Sequence, residues 1–173
     1  MDMTEEELAC RKKVMIAIDE SECSHYALKW VLDNLHDSLS TSSLIIFTVQ
    51  SIADFSYLPA ASPGSARMFC PPSTNIELIK SVQEHQKKVA LALLEKAKGI
   101  CASQGVIAET ITEVGDPKEA ICHAVDNLNI DLLILGSHGR GALKRAVLGS
   151  VSNYCVHNSK CPVLVVKKQG NKV

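Results

Sequence analysis

The chain has 173 residues, a formal net charge of −1 at pH 7 and only 4% aromatic residues, and this length predicts one domain with a substantial core. The near-zero charge argues against nucleic acid or a membrane surface as a partner, and the scarcity of aromatic residues argues against a protein that stacks single-stranded bases. Because the acidic N-terminus lacks the order of a secretory signal and no apolar run is long enough to cross a bilayer, we expect a cytoplasmic protein, with the nucleus as a further location.

The first part of the chain predicts two buried strands separated by a helix. An apolar run over residues 14–18 predicts the first strand, which ends at Asp19. Ser21 and Ser24 then offer N-caps for a helix whose apolar residues recur at three- and four-residue spacing. The apolar run within residues 43–50 predicts the second strand.

The middle of the chain predicts helix, strand and helix in turn. A helical pattern extends over residues 74–103, and Gly105 suits a left-handed cap after it. Residues 107–114 alternate apolar and polar side chains, which predicts a strand with one more exposed face. Asp116 as N-cap and Pro117 at the first helical position predict the start of the next helix.

The last part of the chain places a glycine loop between a strand and a helix. An apolar strand over residues 131–135 is followed by Gly136 and Gly139, then by a helix over residues 149–159 and a strand over residues 163–167. Five strands alternating with four helices predict an α/β fold, an open parallel sheet with helices on both faces. In such sheets a ligand binds beyond the carboxyl ends of the strands, where the strand order reverses.

These elements form a single predicted domain over residues 13–168. Residues 1–12 form an N-terminal extension and residues 169–173 a tail. Residues 51–73 contain four prolines and five serines without a clean period, which predicts a long loop insert.

The seven cysteines are widely spread and include no C-x-x-C pair. A zinc site or a thioredoxin-type redox pair would normally show such a pair. Several cysteines lie among apolar residues, where a free thiol acts as a small core residue. Because His85 and His123 also lack a metal-ligand partner four residues later, at i+4, we assign no metal ion to the protein side chains.

The glycine loop and the helix that follows it predict a phosphate site. A turn between a strand and a helix N-terminus presents backbone N–H groups and a positive dipole end to an anion. We expect Gly136 and Gly139 to permit backbone shapes closed to other residues and to let a ligand approach closely, and His138 to support the turn. Walker A and G-x-G-x-x-G patterns are both absent, so P-loop NTPases and dehydrogenases lose support. The alternative is that the glycine loop is an ordinary connection between a strand and a helix.

Other positions suit the rest of a nucleotide. Arg140 is the best candidate for neutralising phosphate, whereas Lys144 and Arg145 fit a solvated face slightly better. Asp19, at the end of the first strand, could accept hydrogen bonds from ribose or adenine, or could hold its own turn. Val49, at the end of the second strand, could border a base or belong to the core.

These residues together resemble the nucleotide-binding branch of the universal stress protein family. The motif of that branch, G-x2-G-x9-G-[ST], is complete over residues 136–150. Residues 17–30 resemble the first strand and helix of the family, and residues 114–117 its third strand and turn. The resemblance covers about residues 13–168. The amino-acid sequence of these segments is similar to that of plant members.

The resemblance implies a flavodoxin-like (Rossmann-like) sheet of strand order 3-2-1-4-5 that binds ATP or AMP, with Mg²⁺ or Mn²⁺ held only through the triphosphate. It also implies a homodimer formed through the C-terminal strand, from Val163 to Lys167, whose apolar edge suits pairing with a second chain. The implied nucleotide-binding residues are Ala17, Ile18, Asp19, Val49, Gly136, Ser137, His138, Gly139, Arg140, Gly141, Ala142, Gly149, Ser150, Val151 and Ser152.

The leading functional prediction is a regulatory stress-response protein in which adenine-nucleotide occupancy changes shape or partner choice. No general base or nucleophile is evident near the glycine loop, so we predict no catalytic residue. A slow ATPase and a holdase-type chaperone are the alternatives.

Overall fold

The computed structural model describes residues 11–51, 76–139 and 148–168, which form five strands and five helices. The tail, residues 1–10 of the extension and all of the loop insert except Ser51 lie outside the described residues. Within the described part of the chain, none of the helices combines the length and the apolar character needed to span a bilayer. The strands are β1 (Lys13–Ala17), β2 (Ser43–Ser51), β3 (Ala108–Gly115), β4 (Leu132–Gly136) and β5 (Val163–Val166). The helices are α1 (Glu22–Asn34), α2 (His36–Ser40), α3 (Ile76–Ser103), α4 (Pro117–Leu128) and α5 (Ser150–Asn158).

The strands form one parallel sheet in the order β3-β2-β1-β4-β5, which confirms the predicted order 3-2-1-4-5. β1 lies at the centre, with Ile16 opposite Ile46 of β2 on one side and Ile134 of β4 on the other. The chain leaves β1 in one direction to reach β2 and β3, and returns past it to form β4 and β5. The strand order therefore reverses at β1 and β4, where parallel sheets of this kind bind ligands.

A separate apolar core covers each face of the sheet. Because successive side chains of a strand point to opposite faces, Ile16 packs with α1 and α3, whereas Met15 packs with α4 and α5. Both side chains are fully buried. Burial on both faces explains why β1, β2 and β4 appear in the sequence as continuous apolar runs rather than as alternating ones.

The helix ends follow the predicted local signals. Ser21 caps α1, its side chain accepting a hydrogen bond from the backbone N–H of Ser24 at 3.2 Å. Asp116 caps α4 by accepting backbone N–H groups of the first turn, directly before Pro117. Gly105 takes the left-handed conformation after α3, with φ 74°. Ser24, the other candidate cap, is buried in the first turn of α1.

The prediction of four helices was wrong by one, because α2 is a fifth helix among the described residues. Its five residues, HDSLS, are mostly types that favour caps and turns over helix interiors. It is held by tertiary packing, since Leu39 is only 3% exposed and belongs to the core on the α1 side. So short a helix has no periodicity from which it could be predicted.

Candidate functional site

A cleft with a volume of about 510 Å³ opens at the carboxyl ends of β1, β2 and β4, between α4 and the start of α5. Its size suits a small organic ligand. Eleven of the sequence-predicted site residues line it together: Ala17, Ile18, Asp19, Val49, Gly136, His138, Gly139, Gly149, Ser150, Val151 and Ser152.

The remaining predicted residues are placed differently. Ser137, within the glycine loop, is 1% exposed and is not among the residues that line the cleft. Arg140, Gly141 and Ala142 lie outside the described residues, as do Lys144 and Arg145.

Six lining residues were not predicted: Ser24, Ser51, Pro117, Ile121, Leu135 and Leu148. Leu135 and Ile121 supply apolar surface from β4 and α4, and both are buried core residues as well. Their apolar character identified them as core in the sequence, but only the packing of α4 against the sheet brings them to the cleft.

Asp19 holds the turn between β1 and α1 while it lines the cleft. Its Oδ1 accepts a hydrogen bond from the backbone N–H of Ser21 at 3.0 Å and another from the Ser21 hydroxyl. Its own backbone N–H donates to Ser24 Oγ at 2.9 Å. The turn interpretation and the ligand interpretation of Asp19 are therefore compatible, because the turn fixes where the carboxylate stands.

The glycines of the motif serve close packing rather than unusual backbone shapes. A Cβ on Gly136 would lie 2.8–2.9 Å from backbone atoms of Cys23 and Ser24, and a Cβ on Gly139 would lie 2.8 Å from Asp19 Oδ2. Among the glycines that the structure describes, only Gly105 has a positive φ. The expectation that Gly136 and Gly139 adopt backbone shapes closed to other residues was therefore wrong. Gly136 is needed because two backbone segments meet there without room for a side chain, whereas at Gly139 the added atom would meet only the Asp19 carboxylate.

The glycine loop is tied directly to the N-terminus of α5. The backbone N–H of Gly149 donates to the Ser137 carbonyl at 2.7 Å. The buried Ser152 hydroxyl lies 3.0 Å from the same carbonyl and 3.0 Å from the Gly149 carbonyl. A Cβ on Gly149 would stand 3.3 Å from His138 Cα, so this glycine also keeps the loop and the helix close.

The start of α5 faces the cleft with features that suit an anion. Gly149 is its N-cap and makes no side-chain capping bond. The first backbone N–H groups of a helix have no partner inside the helix, and they carry the positive end of its dipole. Ser150 and Val151 line the cleft in that first turn, and Ser150 is exposed. Such an end suits phosphate.

In the described ranges, the side chains form no cluster that would support metal binding. Within residues 11–51, 76–139 and 148–168, no group of three or more His, Cys, Asp or Glu side chains could hold an ion.

Comparison with known proteins gives one family. The model of the Universal stress protein family matches residues 11–167. The Universal stress protein A-like protein of Arabidopsis thaliana is 27% identical over 170 residues, covering 92% of this chain and 92% of its own. Universal stress protein YxiE of Bacillus subtilis is 30% identical over 161 residues, covering 90% of this chain and 98% of its own.

Solved structures agree with that match. The structure of MJ0577 of Methanocaldococcus jannaschii has a TM-score of 0.74 and 26% identity, and the match covers 92% of this chain and 98% of that one. A universal stress protein family protein of Arabidopsis thaliana, solved with AMP bound, has a TM-score of 0.63 and 25% identity. That match covers 92% of this chain and 94% of the other.

Proposed function

Because this chain belongs to the universal stress protein family, we propose that it binds adenine nucleotides and acts in the stress response through the occupancy of its nucleotide cleft. The observation that carries the proposal is the composition of that cleft. Asp19, Val49 and the N-terminus of α5 converge on one space of about 510 Å³. The AMP-bound relative at 25% identity, which has the same fold, supports adenine as the base.

The nucleotide is proposed to lie across the strand ends with its phosphates toward α5. The adenine and ribose occupy the part of the cleft bordered by Ala17, Asp19 and Val49, where apolar surface from Leu135 lies close to a carboxylate. The phosphates meet the backbone N–H groups at the start of α5. With ATP, Mg²⁺ or Mn²⁺ would be held by the triphosphate oxygens.

In this proposal Ser152 positions the site, in addition to lining it. Its hydroxyl lies against the carbonyls of Ser137 and Gly149, so it fixes the glycine loop on α5. Ser150, exposed in the first turn, is the hydroxyl best placed to meet the phosphate tail.

The ligand can be identified by mass spectrometry of the small molecules released when freshly purified protein is denatured. We expect AMP or ATP. A released ligand that lacks adenine would contradict the proposal.

We further propose that the chain forms a homodimer through the edge of β5. β5 is the last strand of the sheet and pairs with β4 on one side. The carbonyls of Pro162 and Val166 accept backbone hydrogen bonds from β4 and from the residue that follows it. The odd-numbered residues between them therefore direct their backbone groups to the other edge of β5. Val163 and Val165 are apolar yet only partly buried there. An apolar strand edge of this kind is a template for pairing with another chain.

Val165→Pro tests this edge without removing a bond to β4. The substitution deletes the N–H that Val165 directs to the open edge, so we expect the dissociation constant of the dimer to rise at least about tenfold. Val165→Ala is the matched control, since it shortens the side chain and keeps the N–H. Light scattering over a dilution series measures the dimer dissociation constants of the two variants. A wild-type monomer, or a Val165→Pro dimer as tight as the control, would contradict the proposed interface.

A further inference from the structure

A second cavity, with a volume of about 220 Å³, opens beside the nucleotide cleft. The end of β2 lines it with residues 48–51, and the N-terminal half of α3 lines it with His85, Gln86 and Val89. Among the described residues, neither the glycine loop nor α5 reaches this cavity. Its volume is below that of a typical pocket for a whole ligand, so it suits one part of a ligand.

The two cavities meet at Asp19, Val49 and Ser51, which line both of them. In the proposed binding mode Asp19 and Val49 border the adenosine, while the phosphates lie at the start of α5. The second cavity therefore adjoins the adenosine end of the nucleotide. A group attached to the base or to the ribose can reach it past these shared residues, whereas a group attached to the phosphates lies at the other end of the cleft.

Two side-chain amides and an imidazole offer hydrogen bonds in this second cavity. Gln50 Nε2 donates to Thr112 Oγ1 at 3.1 Å, which holds the partly buried Gln50 amide in place. Gln86 is partly buried and His85 is exposed, and within the described part of the chain neither side chain has a hydrogen-bond partner. Amide and imidazole groups both donate and accept hydrogen bonds, so these side chains can bind the polar atoms of a ligand.

The charges of the lining residues select the kind of group that fits. Asp19 and Glu20 bring two carboxylates to the cavity, and among the described residues that line it there is no lysine or arginine. An anion placed there would meet like charges, which is unfavourable, whereas an ammonium group would be attracted. A second phosphate is therefore a poor occupant, and a small hydrogen-bonding group with positive or no charge is a good one.

We propose that this cavity is a subsite for a small amine or another hydrogen-bonding group without negative charge, carried on the base or the ribose of the bound adenine nucleotide. This inference rests on the proposed nucleotide function and extends it, since the preferred ligand is then larger than AMP at its adenosine end. Gln50 and Gln86 bind the polar atoms of the added group, and Val89 contacts its apolar part. The Glu20 carboxylate attracts a positive charge.

Isothermal titration calorimetry with substituted forms of AMP tests the subsite. One pair of probes carries a short chain on the N6 amine of adenine, which ends in an amine in one probe and in a carboxylate in the other. A second pair carries the same two chains on the ribose hydroxyls. We expect at least one amine probe to bind about fivefold or more tightly than AMP, and about tenfold or more tightly than its carboxylate partner. Amine probes that bind no more tightly than AMP, or only as tightly as their carboxylate partners, would refute the subsite.

Gln86→Ala tests whether the gain arises in this cavity, and Gln83→Ala is its matched control. Gln86 lines the second cavity and not the nucleotide cleft, so we expect the advantage of the amine probe over AMP to fall below about twofold in Gln86→Ala. Gln83 is an exposed glutamine of the same helix that lines neither cavity, so the advantage should remain in Gln83→Ala. A full advantage in Gln86→Ala would overturn the placement of the added group in this cavity.

The proposed function and the subsite fail in different ways in this experiment. Absence of AMP binding by the wild type would overturn both proposals. AMP binding that none of the added chains improves would leave the adenine-nucleotide cleft in place and overturn the subsite alone.

Discussion

Gly136→Ala is expected to lower the free energy of unfolding by about 3 kcal/mol, the upper part of the usual range for overpacking. The added Cβ would stand 2.8 Å from the carbonyl carbon of Cys23 and 2.9 Å from its oxygen and from the nitrogen of Ser24. All three are backbone atoms in the first turn of α1, so no side-chain rotation can relieve the clash. The end of β4 and the start of α1 must move apart, which disturbs the apolar packing around both elements.

Urea denaturation of wild type, Gly136→Ala and Gly99→Ala measures this effect. Gly99 is the matched control, because a Cβ there meets nothing within 4 Å inside α3. Replacing a glycine in an exposed helix interior by alanine stabilises by up to about 1 kcal/mol. A Gly136→Ala protein within about 0.5 kcal/mol of the wild type would refute the packing role that we assign to this glycine.

Gly139→Ala is expected to weaken AMP binding about tenfold, equivalent to about 1.4 kcal/mol, with little change in stability. Here the added Cβ would stand 2.8 Å from Asp19 Oδ2, a side-chain atom and not a backbone atom, so the carboxylate must shift from the position in which its bonds to Ser21 hold it. Gly139 itself is exposed, so its neighbours can adjust. The cost therefore falls on the position of the Asp19 carboxylate and not on the core.

A double-mutant cycle shows whether this loss passes through Asp19. In an Asp19→Ala background the carboxylate is gone, so Gly139→Ala should change the AMP affinity less than about twofold; residues that act through one contact are not additive. Gly115→Ala, where the new Cβ makes only an ordinary contact of 3.8 Å with Ala120, is the control for introducing alanine. Equal tenfold losses in both backgrounds would contradict a route through Asp19.

Much of the fold could be predicted because local signals and tertiary structure agree. β1, β2 and β4 are buried on both faces, so their apolar runs are unbroken. Asp116 and Pro117 start α4 as their types predict, and Gly105 ends α3. The strand order followed from the family resemblance, because alternation of strands and helices by itself leaves several orders open.

What could not be predicted depends on contacts between distant segments. The sequence identifies Gly136 as a glycine of a loop motif, but only the approach of α1 explains why no side chain fits there. Cys122 and Cys155 each look like separate core thiols, and the packing of α4 and α5 on the sheet places both at one apolar core. Asn129 ends α4 as a left-handed cap with φ 52°. Glycine is the usual sequence signal for such a cap, and it is absent at this position.

The cleft itself shows how far a motif can carry a prediction. The motif predicts the phosphate end near Gly149 and Ser150, because a glycine loop before a helix has a physical reason to bind anions. The apolar wall contributed by Leu135 and Ile121 carries no such signal, since these residues look like any others of the core. The proposed preference for adenine rests on that wall together with Asp19 and Val49.

Isothermal titration calorimetry of the purified wild type with AMP, ATP and GTP tests the central claim most directly. The proposed site predicts saturable binding of AMP and ATP, with GTP at least about tenfold weaker, and a loss of AMP affinity in Gly139→Ala. Absence of binding by both adenine nucleotides, or equal binding of GTP, would contradict an adenine-nucleotide cleft at the ends of β1, β2 and β4.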